Sequence, residues 1–435
     1  MHNLSQSRKI LLGVYFIAFN LSICAQTNSV KSSDHLAESA PQSVGVSPER
    51  LDKIGIMLQE AIDNNQIPGA VALIAKDGKI VYHKAFGKAN AGGEKLERDD
   101  VFRIASQTKA ITATAVIMLW EEGKFQLDDP ISKYIPEFKD PQVLQTFNEA
   151  DSSYTTRPAD KEITIRQLLT HTSGLGYGMI DSDPRIRKIY QKAGVTELFT
   201  TKNVKIGEVI KKLGKLPLHH NPGEKFTYSM GLDVLGYFVE VISGQSFSDY
   251  LTEHIFDPLE MDDTHFYQPQ RNTERLVAIQ EKQDGKWQNL RTTFFDPDYP
   301  VKGARSFYSG GAGLSSTAED YATFLQMYLN KGELNGKRLL SRTTIESMMG
   351  NQTEDLFGGK DKYYSIAFAV VTPEGESMGG FGSEGTFDWG GYFNTQYFAD
   401  PEENVIGILM KQTSGETGDE TGWKFRQMVM ASIDD

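Results

Sequence analysis

The sequence contains a single cysteine and no cluster of positive charge. Because Cys24 is the only cysteine in 435 residues, the chain can form neither an internal disulfide nor a zinc site built on thiolates. Acidic residues outnumber basic ones by 58 to 45, which gives a formal net charge of -13. An acidic surface repels phosphate backbones, so the composition disfavours nucleic-acid binding. With 39% hydrophobic residues, the sequence predicts a globular protein stabilised by its core.

An apolar stretch near the N-terminus has the features of an export signal. Arg8 and Lys9 precede apolar residues 10–25, and small Ala25 closes the stretch, which is the secretory pattern. The stretch is short for a bilayer span, which needs about 20 residues. We therefore expect cleavage after Ala25, export to the periplasm or the medium, and no stable membrane span. A lipoprotein attached through Cys24 is the alternative, disfavoured because Ile23 stands where a small residue is expected.

The rest of the chain is predicted to contain one domain after a flexible tether. Residues 26–45 are rich in small polar residues without periodicity, which is typical of a tether. Strand patterns occur in about 46–105 and 320–435, and the intervening 106–319 is mostly helical, with a polar surface insertion near 145–163. The sequence thus predicts an α/β (α+β) domain, 46–435, that is closed by its two ends and holds a mostly α region.

Periodicity and turn signals predict the individual elements. Ser47-Pro48-Glu49 is a helix start, and Asp77-Gly78 is a hairpin turn between strands at 69–76 and 79–87. The remaining predicted helices lie at 106–123, 231–251, 317–332 and about 420–433, and the remaining strands at 365–371, 395–399 and 405–411.

Ser106-Gln107-Thr108-Lys109 forms an S-x-x-K motif at the start of a predicted helix. Residues i and i+3 share one helix face, so the lysine ammonium lies beside the serine hydroxyl. The helix N-terminus favours negative charge that develops on the serine oxygen. Ser106 is therefore a candidate nucleophile and Lys109 a candidate base, although the motif alone is short enough to arise by chance.

Two further segments carry candidate residues. Tyr228 follows Pro222-Gly223 and opens an apolar helix, where a tyrosine is either a core residue or, as a phenolate near Lys109, a base. Trp389-Gly390-Gly391 precedes a strand pattern, and glycines there allow close approach of another backbone. The alternative for this triplet is a β-bulge beside a core tryptophan.

The order of these motifs resembles the serine β-lactamase-like hydrolases. This family includes class C β-lactamases, D-Ala-D-Ala carboxypeptidases, D-aminopeptidases and family VIII carboxylesterases. The matching segments span most of 46–435 and are 67–70, 102–109, 168–175, 222–223, 228–229, 313–317 and 389–391. The resemblance implies a β-lactamase/transpeptidase-like fold, in which an antiparallel sheet flanked by helices joins an all-α region and the site lies between them.

The same resemblance implies a role for each motif. Ser106 would accept the acyl group, and Lys109 and Tyr228 would form the base system. The oxyanion N–H groups would come from Ser106 and Tyr392, and the Trp389-Gly390-Gly391 triplet would line the substrate site. We expect a small-molecule acyl substrate and neither a cofactor nor a metal; the oligomeric state is open.

Two departures from the family pattern bear on the substrate. Trp389 stands where β-lactamases and carboxypeptidases carry Lys or His, and Met230 stands where the second motif usually ends in Asn. The Trp-Gly-Gly form is associated with family VIII esterases, so an exported carboxylesterase for small esters is the leading hypothesis. A β-lactamase or D-amino-acid peptidase and a non-catalytic binding homologue are the alternatives.

Two competing motifs are disfavoured. Gly375-Glu376-Ser377-Met378-Gly379 matches the G-x-S-x-G pattern, but that site needs a histidine downstream and the last histidine is His265. The pair His219-His220 suggests a metal ligand, but it lies beside a proline and has no partner at helical spacing. A loop at the substrate cleft or a surface position is the better interpretation.

Overall fold

The computed structural model describes residues 27–415 and 418–434. The predicted signal peptide lies outside the described residues. Within them, no helix is both long and apolar enough to cross a membrane.

An eight-stranded sheet organises the domain. Its strands, in chain order, are β1 (Ala37–Glu38), β2 (Gly69–Lys76), β3 (Lys79–Gly87), β4 (Lys362–Tyr364), β5 (Ala369–Val371), β6 (Phe387–Gly390), β7 (Gln396–Asp400) and β8 (Val405–Met410). The strand order across the sheet is β4-β5-β6-β7-β8-β2-β3-β1. All neighbours are antiparallel except β1 and β3, so the predicted antiparallel sheet is a mixed sheet with one parallel pair at its edge.

Helices cover both faces of this sheet. The main helices of the sheet layers and the site are α1 (Pro48–Asp63), α2 (Thr108–Glu121), α3 (Gly231–Ser243), α4 (Ala318–Leu329) and α5 (Thr421–Met430). Because side chains alternate along a strand, Ala70, Ala72 and Ile74 of β2 pack with α1 and α5, whereas Val71 and Leu73 face the larger core on the other side.

Helix α2 lies deep in the larger core. Every residue from Thr108 to Leu119 is buried. A helix that is apolar on all sides is stable when it packs on all sides. The helix meets α3 of the α region, while the turn before it meets β6 of the sheet. Its first turn, which carries the S-x-x-K motif, is thereby held between the two parts of the domain.

Shorter elements complete the α region and its surroundings. Among the described residues, the other α-helices of four or more residues are Ile165–Leu169, Pro184–Ala193, Ile206–Leu213, Phe247–Leu251, Gln270–Thr273, Tyr299–Lys302, Arg342–Met349 and Pro373–Met378. A 3₁₀ helix at Pro41–Val44 and a π-helical turn at Thr252–Phe256 accompany them. Short strand groups are Phe102–Arg103 with Ser315–Ser316; Gln142–Phe147 with Tyr154–Pro158; Gln280–Gln283 with Lys286–Asn289 and Thr413–Ser414; and Thr27–Asn28 with Lys337–Arg338 and Glu333–Leu334.

The structure differs from the sequence-based expectations in three places. The segment 26–45, expected to lack regular structure, contains Thr27–Asn28, which pairs with Lys337–Arg338, and β1, which joins the main sheet. The predicted strand 365–371 is confined to Ala369–Val371, whereas the polar surface stretch near 145–163 lies in and after the largely exposed hairpin of Gln142–Phe147 and Tyr154–Pro158. The predicted helix 231–251 ends at Ser243, because Gly244 adopts a left-handed conformation with φ of 73° and caps it.

Candidate active site

Ser106 lies in a tight turn that points its side chain out of the core. The 3₁₀ turn Ala105–Gln107 joins the short strand Phe102–Arg103 to α2. Ala105 has a φ of +44°, which is uncommon for a residue with a Cβ and is typical of constrained functional turns. Residues on both sides are buried, whereas Ser106 is partly exposed. The turn therefore presents one hydroxyl from an otherwise closed segment.

Lys109 lies directly below this hydroxyl, as the motif spacing predicts. Its Nζ is 3.2 Å from Ser106 Oγ, 3.0 Å from the Tyr177 hydroxyl and 2.8 Å from the Gly311 carbonyl oxygen. The side chain is 1% exposed. An ammonium has three N–H donors, and these three oxygens can accept one each. Each N–H donor of the buried Lys109 ammonium thus has a hydrogen-bond acceptor.

Tyr228 and Trp389 come from distant parts of the chain and meet beside Lys109. The Lys109 Nζ lies 4.5 Å from the centroid of the Tyr228 ring. The indole N–H of Trp389 donates to the Tyr228 hydroxyl at 3.4 Å, and the two ring centroids are 5.8 Å apart. The structure therefore brings the three predicted motifs together in one cluster.

Gly391 allows the hairpin after β6 to approach the turn Ala105–Gln107, here called the nucleophile turn because it carries Ser106. A Cβ at this position would lie 2.5 Å from the Ile104 carbonyl oxygen and 2.2 Å from Thr395 Oγ1. Its N–H donates to the Thr395 carbonyl at 2.7 Å, which closes the hairpin. Only glycine fits this contact, so the triplet lies against the turn that carries Ser106. Tyr392 follows immediately; its N–H as an oxyanion donor stays a prediction.

Tyr177 belongs to the cluster but was not among the predicted site residues. Its hydroxyl accepts the Lys109 hydrogen bond, and its ring lies 5.6 Å from that of Tyr228. Burial, and secondarily the nearby Asp233 carboxylate, raise the pKa of Tyr177 well above its usual value, so its hydroxyl keeps its proton. A tyrosine between two glycines carries no motif, and only its place just after segment 168–175 could have suggested it.

Two carboxylates hold the loop that carries Tyr177. Asp181 accepts the N–H of Tyr177 at 2.7 Å, and Glu197 accepts those of Gly178 and Met179 at 2.6 Å each. His219 bonds the same oxygen of Asp181 at 3.0 Å. His219 therefore has a loop role beside the cluster, and within the described chain no group of His, Cys, Asp and Glu residues is arranged to hold a metal.

Asp233 and His171 support the cluster from inside the protein. Asp233 of α3 is fully buried and accepts from Ser309 Oγ at 2.5 Å and from the Gly311 N–H at 3.2 Å, and thereby fixes the carbonyl that Lys109 contacts. Burial raises the pKa of Asp233. His171 Nδ1 accepts the Ser229 N–H at 3.2 Å, and burial, with the nearby Lys109 charge, lowers the pKa of His171 well below 6.5. A neutral imidazole therefore ties the 171 turn to the Tyr228 segment.

The competing serine lies elsewhere. Ser377 is exposed at the end of the short helix Pro373–Met378, and its hydroxyl donates to the Glu374 carbonyl at 2.7 Å. It has no place in the cluster around Lys109.

Comparison with known proteins gives one consistent family. The Beta-lactamase family model matches residues 57–429. Protein Rv1367c of Mycobacterium tuberculosis is 32% identical over 83% of this chain and 90% of its own length. Esterase EstB of Burkholderia gladioli is 28% identical over 84% of this chain and 91% of its own.

Solved structures show the same fold. EstCE1, described as a hydrolase with promiscuous acyltransferase activity, superposes with a TM-score of 0.72. The alignment covers 89% of this chain and 98% of EstCE1, with 23% identity. The β-lactamase/transpeptidase-like fold predicted from the motifs is confirmed, with a mixed sheet in place of a wholly antiparallel one. The chain belongs to the β-lactamase family of serine hydrolases.

Proposed function

We propose that this protein is a carboxylesterase that forms an acyl-enzyme on Ser106. The observation that carries the proposal is the contact of 3.2 Å between Ser106 Oγ and Lys109 Nζ, in a cluster that Tyr228 and Trp389 complete. The esterases among its relatives support the same reaction class.

The hydrogen bonds around Lys109 and Tyr228 support their assignment as the base system. Three oxygens surround the Lys109 Nζ, as an ammonium requires, so the lysine supplies positive charge. The Lys109 ammonium lies over the Tyr228 ring, and the indole N–H of Trp389 donates to the Tyr228 hydroxyl oxygen. We assign Tyr228 as the general base that takes the Ser106 proton, with the Lys109 ammonium and the Trp389 indole N–H facing it.

The reaction then proceeds in two balanced steps. Ser106 Oγ forms a bond to the ester carbonyl carbon while its proton passes to the base, and the alcohol leaves with that proton. In the second step a water molecule gives a proton to the base while its oxygen bonds to the acyl carbon. The bond from that carbon to Oγ then breaks, the base returns the proton to Oγ, and the carboxylic acid leaves. The N–H groups of Ser106 and Tyr392 would stabilise the oxyanion in both steps, and such a donor is worth about 10²- to 10³-fold in kcat.

Trp389 favours an ester over a β-lactam or a peptide. In the family pattern a Lys or His at this position binds the substrate carboxylate. Here the indole donates its N–H to Tyr228 and offers no charge to a carboxylate. A neutral ester needs no such cation, so this change leaves ester hydrolysis intact and weakens recognition of acidic β-lactams and C-terminal peptides.

Hydrolysis of p-nitrophenyl butyrate and of a chromogenic cephalosporin tests the proposal. We expect turnover of the ester well above that of the cephalosporin, and a loss of about 10³-fold or more in kcat for Ser106→Ala. Faster cephalosporin hydrolysis would assign the protein to the β-lactamases instead. Ester turnover that survives Ser106→Ala would contradict the acyl-enzyme on this residue.

We also propose that the protein is exported. The charged and apolar pattern of residues 8–25 supports removal of a signal peptide. N-terminal sequencing of protein from its native host should begin at Gln26. A lipid-modified Cys24 at the N-terminus would favour the lipoprotein alternative.

A further inference from the structure

An aromatic cluster lies beside the predicted oxyanion residue and joins the two parts of the domain. Phe199 is its centre: its ring contacts those of four others at centroid distances of 4.7 to 6.4 Å, namely Phe295, Tyr299, Tyr392 and Phe393. Phe294 packs edge-on against Phe295 at 4.9 Å. Phe199 and residues 294–299 come from the α region, whereas Tyr392 and Phe393 come from the hairpin after β6.

Two of these rings are open to solvent while the others are covered. Phe294 is 43% exposed and Tyr392 is 44% exposed, whereas Phe199, Phe295 and Tyr299 are at most 5% exposed. The buried rings therefore form a packed support beneath the two exposed rings and restrict their movement. Exposed aromatic side chains that packed neighbours hold beside a nucleophile are candidates for contact with the substrate.

This aromatic surface is fixed relative to the nucleophile. Arg103 lies on the strand that leads to Ser106, is buried, and donates to the Pro297 carbonyl at 2.8 Å and to the Val277 carbonyl at 2.7 Å. It thereby attaches the loop with Phe294 to the nucleophile strand. On the other side, Gly391 lies against the Ile104 carbonyl and is followed by Tyr392. The segments that carry the two exposed rings are thus attached to the strand and turn that present Ser106, one through the Arg103 guanidinium and the other through Gly391.

We infer that Phe294 and Tyr392 bind one substituent of the ester, and that the preferred substrates carry an aromatic ring in the acyl or the alcohol group. The inference rests on the proposed esterase function and assigns its substrate class. A planar ring gains offset-stacked or edge contacts with exposed aromatic side chains, whereas a methyl or ethyl group offers them much less contact area. Side-chain truncation at position 392 leaves the backbone N–H in place, so recognition and oxyanion stabilisation can be separated.

Matched pairs of esters test the inference. Methyl phenylacetate is compared with methyl propanoate, and benzyl acetate with ethyl acetate, by pH-stat titration. We expect kcat/KM of the wild type to be higher for the aromatic member of at least one pair. Phe294→Ala should lower that preference about three- to tenfold, with kcat/KM for the small esters within about twofold of wild type. Tyr392→Ala should lower the same aromatic-to-small ratio about three- to tenfold, and the ratio is compared at whatever absolute kcat/KM this variant retains. Phe294→Leu serves as a second, milder variant that keeps apolar volume.

Ile56→Ala is the control, because Ile56 is an apolar residue 58% exposed on α1, which packs on the opposite face of the sheet from α2. This control variant should leave the ratio of kcat/KM for the aromatic ester to kcat/KM for the small ester unchanged. An unchanged preference in both test variants, or an equal loss on all four esters, would overturn the inference. Failure of the esterase proposal is distinguishable, because it shows as small-ester turnover that is absent or independent of Ser106.

Discussion

Substitution of Gly391 by alanine is the sharpest structural test of how the site is assembled. The added Cβ would lie 2.5 Å from the Ile104 carbonyl oxygen and 2.2 Å from Thr395 Oγ1, about 0.9 and 1.2 Å short of the 3.4 Å at which ordinary contact begins. Both neighbours belong to well-packed backbone or to a buried side chain, so the hairpin must move away from the nucleophile turn.

We expect Gly391→Ala to lower kcat strongly and the free energy of unfolding only moderately. A shift of about 1 Å takes the Tyr392 N–H away from its predicted place at the oxyanion, so kcat should fall about 10²- to 10³-fold. The strain should lower the free energy of unfolding by about 1–3 kcal/mol, which leaves the protein folded under assay conditions. Hydrolysis of p-nitrophenyl butyrate gives kcat, and urea denaturation gives the stability.

Gly390→Ala provides the comparison within the same triplet. Its Cβ would lie 3.2 Å from the Thr395 carbonyl oxygen and 3.9 Å from Gln396 Cγ, so a small adjustment accommodates it. We expect its kcat to exceed that of Gly391→Ala by at least about tenfold. Equal kcat values for the two variants, or a Gly391→Ala enzyme within about threefold of wild type, would refute the argument that this contact positions the oxyanion donor.

Three further predictions concern the residues around the cluster. Tyr177→Phe removes the hydroxyl that accepts from Lys109 at 3.0 Å and should lower kcat/KM for p-nitrophenyl butyrate about ten- to a hundredfold; a change under about twofold would show that this acceptor is dispensable. Burial raises the pKa of Glu197 from 4.5 to about 7, so between these pH values the folded state binds more protons than the unfolded state and stability falls as pH rises. Glu197→Gln should flatten that part of the curve of unfolding free energy against pH. An unchanged slope would contradict the raised pKa of Glu197. Arg103→Lys cannot satisfy the Pro297 and Val277 carbonyls together and should cost about 2 kcal/mol in urea denaturation, whereas an unaltered midpoint would mean that these bonds do not hold the loop.

The elements with local signals were predictable from the sequence. The Asp77-Gly78 turn fixes the hairpin of β2 and β3, and the mostly apolar run 110–119 indicates a buried helix with Ser106 just before its start. The clustering of Lys109 with Tyr228 and Trp389 followed from the resemblance of ordered motifs, since nothing in their spacing alone brings residues so far apart together.

The parts that escaped prediction depend on contacts between distant residues. Strand β6 has only four residues and follows a glycine-rich loop, so no alternating pattern of useful length exists. Strand β1 has two residues and forms only because the edge of β3 accepts it. Tyr177 has no motif, and its place beside Lys109 depends on Asp181 and Glu197, which fold back onto its loop.

Labelling with a fluorophosphonate, followed by intact-mass measurement and peptide mapping, tests the central claim most directly. The account predicts one covalent adduct per chain, on the peptide that contains Ser106, absent in Ser106→Ala and retained in Ser377→Ala. An adduct on another residue, or a wild-type protein that stays unlabelled while folded, would contradict Ser106 as the nucleophile of this hydrolase.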